Sequence, residues 1–370
     1  MLQVVITGLG LETSLGSDPG QILECMEAGE TAAAPPSGFD ARPFGCPHSA
    51  EIRDFRPERF VPDSKALRLM NRDAVLAVAA ARRAMADAGI VVGRDYPSEE
   101  IGLFGATGLA GLPLGEVAPL IRHSASAAGT FDPERFGAVA LKKIRPILSF
   151  RILSNMPICF VSIFENIQGP NAVYNPWEGQ GAQAIRRGID AIRRGEASCV
   201  LCGGSDVKTH ELAFLALEQQ GVFRPWREAG RGTVPGEGAA FLVLEEEERA
   251  RERGARAHAR FKDASSSSAA SRSDVCRALF ARLPCGPSPV LVSGEEGDLE
   301  VQRAEDEALE SLGLHVARAL RPKLHVGNLF AAAAFVQVAL AALVASRGQE
   351  VLASSIGHGS EKAAFLLEGA

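Results

Sequence analysis

The chain lacks most of what would tie it to nucleic acid, a membrane or an oxidising compartment. Its 370 residues carry a formal net charge of -6, so there is no general attraction to nucleic acid or anionic lipid. It has no apolar run long enough to suggest a membrane span. The most apolar stretch, 329–346, is alanine-rich, contains Gln337 and reads as a buried helix. The opening MLQVVITGLG has no charged segment and no long apolar stretch, so no secretory leader is expected. The seven cysteines are odd in number and scattered, which argues against a disulfide framework and for a reduced, cytoplasmic setting. Cys199 and Cys202 form a C-x-x-C inside the apolar run SCVLCGG, where two small core residues are the better reading than a metal or redox pair. No cofactor and no metal is expected.

What is present suits a large folded core: 46% of residues are hydrophobic and 23% charged. Residues 4–7 read as a buried strand that ends in a turn at Gly8-Leu9-Gly10. Strands are also expected at 101–105, 172–174, 198–202 (ending at Gly203-Gly204), 239–244, 289–293, 323–326 and 363–367. Helical patterns cover 18–28, 68–88, 180–194, 245–253, 273–283, 300–312 and 329–346. Residues 33–50 read as an ordered surface loop, and 113–145 are mixed with a mobile loop near 123–133. The serine-rich stretch 264–272 reads as a hinge. Short buried strands alternating with helices imply an α/β fold with parallel sheet, divided into two unequal halves, 1–255 and 256–370.

Five segments, in order, resemble the β-ketoacyl-ACP synthase family. They are the opening VVITGLGLETSLG, Gly169-Pro170-Asn171, Gly203-Gly204-Ser205-Asp206, the stretch GRGTVPGEGAAFLVLEEEERARERGA, and 323–334 against a KSxxGHxxGAAG motif. The resemblance implies the thiolase fold, two similar α/β halves forming a five-layered α-β-α-β-α core. It further implies interface and tunnel insertions in the first half.

That family uses a cysteine nucleophile on a strand-to-helix elbow and two histidines. Anchored on Gly181 and Ala184-Ile185, the nucleophile motif places Glu178 at the cysteine position. The first histidine becomes Gly294 and the second Asn328, while the lysine of the second motif survives as Lys323. The gating phenylalanine near the C-terminus becomes His358. A carboxylate makes a poor acyl carrier, glycine has no side chain to donate, and asparagine does not titrate near neutrality. Such groups act as a unit, so condensation by this chain alone is not expected.

This combination resembles the chain-length factor, the β subunit of type II polyketide synthases. The resemblance implies a catalytic ketosynthase as heterodimer partner and an acyl carrier protein bearing the polyketide chain. It also implies an interface tunnel whose wall residues limit chain length. By motif those positions are Leu112, Gly115 and Pro119, on a helix beginning after Ala110-Gly111. Minimal Gly115 and moderate Leu112 suggest a tunnel open to a long, reduced (polyene) chain. These subunits usually carry glutamine where this chain has Glu178. A buried glutamate needs a partner or a raised pKa, so Glu178 is expected to pair with a nearby donor. The basic residues Lys142, Lys143, Arg145, Arg186 and Arg187 are read as a solvated face, with attraction of an acidic carrier as the sharper alternative.

Two other readings stand beside this one. The chain is either an active acyltransferase or decarboxylase with a displaced nucleophile, Cys159 or Cys202, and a His325–His358 acid–base pair, or a stand-alone binder of acyl carriers.

Overall fold

The computed structural model describes the chain except residues 1, 110, 113, 145–146, 269–271, 317 and 347; side chains are described except there and at 149 and 272. Ten strands form the main sheet. The first five are β1 (Val4–Glu12), β2 (Ile101–Thr107), β3 (Asn171–Tyr174), β4 (Cys199–Val207) and β5 (Glu237–Glu246). The second five are β6 (Ala259–Ser267), β7 (Val290–Val292), β8 (Arg318–Leu320), β9 (Val351–Ser355) and β10 (Lys362–Glu368). In space the first set runs β3-β2-β4-β5-β1 and the second β8-β7-β9-β10-β6. The same third-second-fourth-fifth-first order thus occurs twice. Among the described residues the two sets meet through two residue pairs, Val5 with Arg260 and Ile6 with Ala259.

The sheet is mixed rather than parallel. β2, β3 and β4 are mutually parallel, as are β7, β8 and β9, but β5 and β10 run antiparallel to their neighbours. The short loop 356–361 explains the second case, because so few residues can join only antiparallel strands.

Helices among the described residues include α1 (Arg72–Ala88), α2 (Leu114–Ser124), α3 (Met156–Glu165), α4 (Glu178–Arg193), α5 (Arg272–Phe280), α6 (Leu299–Ser311) and α7 (Ala333–Ala345), of which all but α2 share a hydrophobic core with the sheet. α1 and α3 pack on the outer face of the first half, and α5 and α6 on that of the second. α4 and α7 lie in the middle and share one core with strands of both halves. The result is the thiolase-like α-β-α-β-α layering. α7 is buried on almost every side, as expected for a central helix. Among the described residues no helix is long and apolar enough to cross a membrane.

Several expectations change. β1 does not turn at Gly8-Leu9-Gly10 but continues to Glu12. A β-carbon on Gly8 would lie 2.2 Å from the Ala84 carbonyl oxygen, and one on Gly10 2.0 Å from that of Ala80. These glycines therefore serve the close approach of α1 to the strand, not a turn. β4 likewise runs through Gly203-Gly204. The helix expected over 68–88 is two, because Asn71 caps α1 by accepting from the Ala74 amide; Gly89, at φ +66, ends it. The serine-rich stretch expected as a hinge begins inside β6, in which Ser265 and Ser266 pair with Ala364 and Ala363, while 269–271 lie outside the described residues. Ser265 is buried and donates to the Leu279 carbonyl at 2.9 Å. The strand expected at 323–326 is a short helix, Pro322–Val326, with proline in its first turn; the strand lies just before it, as β8.

Candidate functional site

α4 begins at Glu178, one residue after Trp177, so this carboxylate sits where the helix presents unpaired amides and its positive end. Its Oε1 accepts from Asn328 Nδ2 at 2.8 Å and Lys323 Nζ at 3.2 Å. A second carboxylate, Glu296, mirrors it: Oε2 accepts from the same Asn328 Nδ2 at 2.6 Å and the same Lys323 Nζ at 3.3 Å. Lys323 also donates to the Ile356 carbonyl at 3.1 Å. The other Glu296 oxygen lies 3.0 Å from His358 Nε2, which is 3.2 Å from Thr233 Oγ1. Asn328 completes its bonding by accepting from the Phe330 amide at 2.8 Å. Only Oε2 of Glu178 is buried without a protein partner in this group.

The side chains of Glu178, Glu296 and Lys323 are at most 2% exposed. Burial alone pushes Lys323 down, but Glu178 and Glu296 outweigh it and hold the ammonium above its ordinary range. Burial pushes Glu296 up, yet His358 and Lys323 keep it well below the usual carboxylate range. Burial lowers His358, and Glu296 more than reverses this. The cluster therefore sets two acidic side chains against a lysine and a histidine. Such charges are tolerated in a core only when paired and hydrogen-bonded in this way.

Glu178, Glu296 and His358 offer ligand atoms within 4.8 Å of one another, the spacing a metal would use. Lys323 already stands against both carboxylates and supplies the cation. The donor set is thus organised around an internal charge, and it fits a metal poorly.

Gly294 stands tight against the backbone of Ile356. A β-carbon on Gly294 would lie 2.6 Å from the Ile356 amide nitrogen and 2.7 Å from its carbonyl oxygen. The backbone that receives Lys323 leaves no room for a β-carbon there.

Four residues expected from motifs, Glu178, Lys323, Asn328 and His358, thus meet in one cluster, and Gly294 abuts it through Ile356. Glu296 and Thr233 were not anticipated. The available signal for Glu296 was SGEEGD, two adjacent carboxylates directly after a buried strand.

The tunnel positions separate. Leu112 precedes α2 and lines an apolar cavity of about 380 Å3 with Trp177, His210, Leu212 and Ala216. Gly115 and Pro119 lie on α2 and line a different cavity, of about 280 Å3, with Leu120, Ile147 and Arg151. A β-carbon at Gly115 would meet nothing within 4 Å.

Arg186 and Arg187 do not form a free basic face: Arg186 binds Ser266, and Arg187 pairs with Glu196 over the Phe104 ring. Lys142 and Lys143 are exposed, whereas Arg145 and Ala110 lie outside the described residues. His325 does not join His358; its Nδ1 is 2.6 Å from the Glu30 carbonyl oxygen. Cys202 is buried in β4, and burial pushes its thiol well up, away from the reactive thiolate. Cys159 on α3 has Asn155 as its hydrogen-bond partner, with Nδ2 at 3.4 Å from Sγ. Cys199, three residues along the strand from Cys202, packs in a different core cluster, so the two make no pair.

A doubled third-second-fourth-fifth-first sheet around two central helices defines a thiolase-like protein of the ketosynthase type. The profile of the β-ketoacyl synthase N-terminal domain matches residues 1–250, and the chain belongs to the β-ketoacyl synthase family. It is 30% identical over 268 residues to 3-oxoacyl-(acyl-carrier-protein) synthase 2 of Coxiella burnetii, covering 70% of this chain and 61% of that one. It is 30% identical over 270 residues to the oxytetracycline polyketide putative beta-ketoacyl synthase 1 of Streptomyces rimosus, covering 70% and 60%. The alignments thus span about 60% of the length of these relatives. Among solved structures, the ishigamide ketosynthase/chain length factor superposes with a TM-score of 0.80 at 24% identity, over 100% of this chain and 99% of that one. A beta-ketoacyl synthase from Burkholderia phymatum gives 0.82 at 20% identity, over 100% of both chains.

Proposed function

We propose that this chain is a non-condensing chain-length factor that pairs with a catalytic ketosynthase and shapes the tunnel holding the growing polyketide on its carrier protein. The observation that carries this reading is the closed ion cluster. Where the family places a thiolate and two imidazoles, this chain has Glu178 and Asn328 locked to Lys323 and Glu296, and a glycine whose space is filled by backbone. No group there can take and release an acyl chain.

A partner is supported by the surface. Leu109, Ile121, Phe131, Leu141, Phe150, Leu153 and Ile163 are all exposed, within one segment of the chain. β3 stands at the end of its half-sheet, hydrogen-bonded on one side only. Exposed apolar side chains and an open strand edge are each features that a partner covers. The empty space above Gly115 suits a long acyl chain, of the kind a highly reducing polyene system makes.

Co-expression with a ketosynthase that retains its cysteine and both histidines tests the reading. Native mass spectrometry is expected to show a one-to-one heterodimer, with turnover only in the pair and lost when the partner's cysteine is removed. Condensation by this chain alone would overturn it. In the active pair, Gly115→Trp is expected to shorten the products by one or more extension units; unchanged products would remove α2 from the tunnel wall.

A further inference from the structure

An open cavity of about 600 Å3 lies between the turn after β1 (residues 13–17), the segment 31–34 and residues 51–60. The segment 52–60 is fastened at both ends. Glu237 accepts from the Ile52 amide at 2.7 Å and from Arg72 Nε and Nη2 at 2.6 and 2.7 Å, and the Phe60 carbonyl accepts from Arg82. Phe55 and Phe60 stack at 5.9 Å between centroids, with the Arg72 guanidinium over the first ring and that of Arg83 over the second. Between these anchors stand Arg53, Arg56 and Arg59, all exposed and all lining the cavity. Among the described residues none of the three side chains donates a hydrogen bond or forms a close ion pair.

The other charges of the lining are mostly engaged. Arg83 pairs with Glu12 at 2.5 Å, and Glu51 accepts from the Ser37 amide at 2.9 Å and the Ser49 hydroxyl at 3.3 Å. Burial raises Glu12; Arg83 and then, more weakly, Arg59 oppose this. Asp54 is the lining acid without such a partner among the described residues, so three guanidiniums stand against one carboxylate. Arg56 and Arg59 flank the single turn Pro57–Arg59, in which the Arg59 amide donates to the Arg56 carbonyl at 3.2 Å. That turn brings both side chains to one cavity. Another wall is the tight turn Thr13–Gly16, with Gly16 at φ +120. There the amides of Ser14, Leu15 and Ser17 donate no hydrogen bond among the described residues. Guanidinium forks and unpaired turn amides are the groups that hold phosphoryl oxygens.

We infer that this cavity binds a phosphorylated small molecule, holding two linked phosphoryl groups on Arg53, Arg56 and Arg59. A cation would meet uncompensated guanidiniums, and an uncharged ligand would leave them without a counter-charge. The inference stands apart from the chain-length-factor reading, which concerns the central cluster and the partner surface.

The test titrates the full chain with inorganic pyrophosphate, inorganic phosphate and sulfate by isothermal calorimetry at one fixed ionic strength. Pyrophosphate is expected to bind about tenfold more tightly than phosphate or sulfate, which engage only part of the arginine set. Arg56→Gln combined with Arg59→Gln should bring pyrophosphate down to the level of sulfate. Arg135→Gln, which removes an exposed arginine outside the cavity, should change nothing. Asp54→Asn, which takes away the unpartnered acid, should tighten pyrophosphate about threefold. All four positions are exposed, so these substitutions leave the core untouched. Pyrophosphate that binds no better than sulfate, or equally well to the doubly substituted chain, overturns the inference. So does a loss in Arg135→Gln as large as that in the cavity variant, which would mean adsorption to surface charge at large. No ketosynthase takes part, so failure to form a heterodimer and failure to bind pyrophosphate are separate results.

Discussion

The two halves of the sheet repeat one strand order but use it for different ends. In the first, backbone contacts through Gly8 and Gly10 bring α1 onto β1, and the family profile falls on this half. In the second, the loops that follow β7, β8 and β9 deliver Glu296, Lys323 and His358, with Asn328 just before α7. Loops at the carboxyl ends of parallel strands are where α/β folds place their sites. Glu178 and Lys323 make the relation concrete: each follows the third strand of its half, and the two meet at 3.2 Å between the central helices. The repeat thus brings an acidic and a basic residue that follow matching strands face to face.

The sharpest way to break that comparison is to remove the charge the second half contributes. Lys323→Met leaves two buried carboxylates facing each other. It should destabilise the fold by about 3–5 kcal/mol, read from urea unfolding; a neutral effect would mean that the cluster is not held by its charges. A matched pair of substitutions compares the halves directly. Gly10→Ala and Gly294→Ala each press a methyl against backbone, and each should cost about 1–3 kcal/mol. If only Gly10→Ala is costly, the space at Gly294 is still open.

The pH dependence sharpens the picture further. His358 titrates above its ordinary value of 6.5 in the folded chain, so its contribution is fully present below pH 6.5 and lost as pH rises through the elevated value. Glu296 titrates below its ordinary 4.5, so its contribution is present above that value and lost on acidification. Between about pH 4.5 and 6.5 both act together. The stability gap between the natural chain and His358→Asn, measured by chemical denaturation, should therefore be larger at pH 6 than at pH 9. The smallest effect is expected from Glu178→Gln, which keeps the shape and lets Lys323 retain Glu296. A cost of about 1–2 kcal/mol is expected. With one carboxylate gone, the His358 titration seen by NMR should move down, since Glu178 helps to raise it.

Much of this was legible in the residues. Motif spacing located Glu178, Lys323, Asn328 and His358, and buried runs located most of the strands. The misses have physical causes. β8 and β9 are short strands that depend on neighbours for their pairing. The serine run of β6 reads as flexible because its hydrogen bonds come from β10, about a hundred residues later. Gly8, Gly10 and the Gly203-Gly204 pair read as turns because a glycine's need for closeness looks, in one dimension, like a need for freedom.

The sequence by itself determined the class of fold and pointed to Glu178, Lys323, Asn328 and His358 as positions of interest. Those follow from local pattern and motif order. The tertiary structure alone decided that Glu296 joins Glu178 on a single lysine, that Gly294 is closed by Ile356, and that Leu112 and Gly115 line different cavities. Each of these depends on groups far apart in the chain coming within a few ångströms, where burial turns a charge or a missing side chain into a large energy.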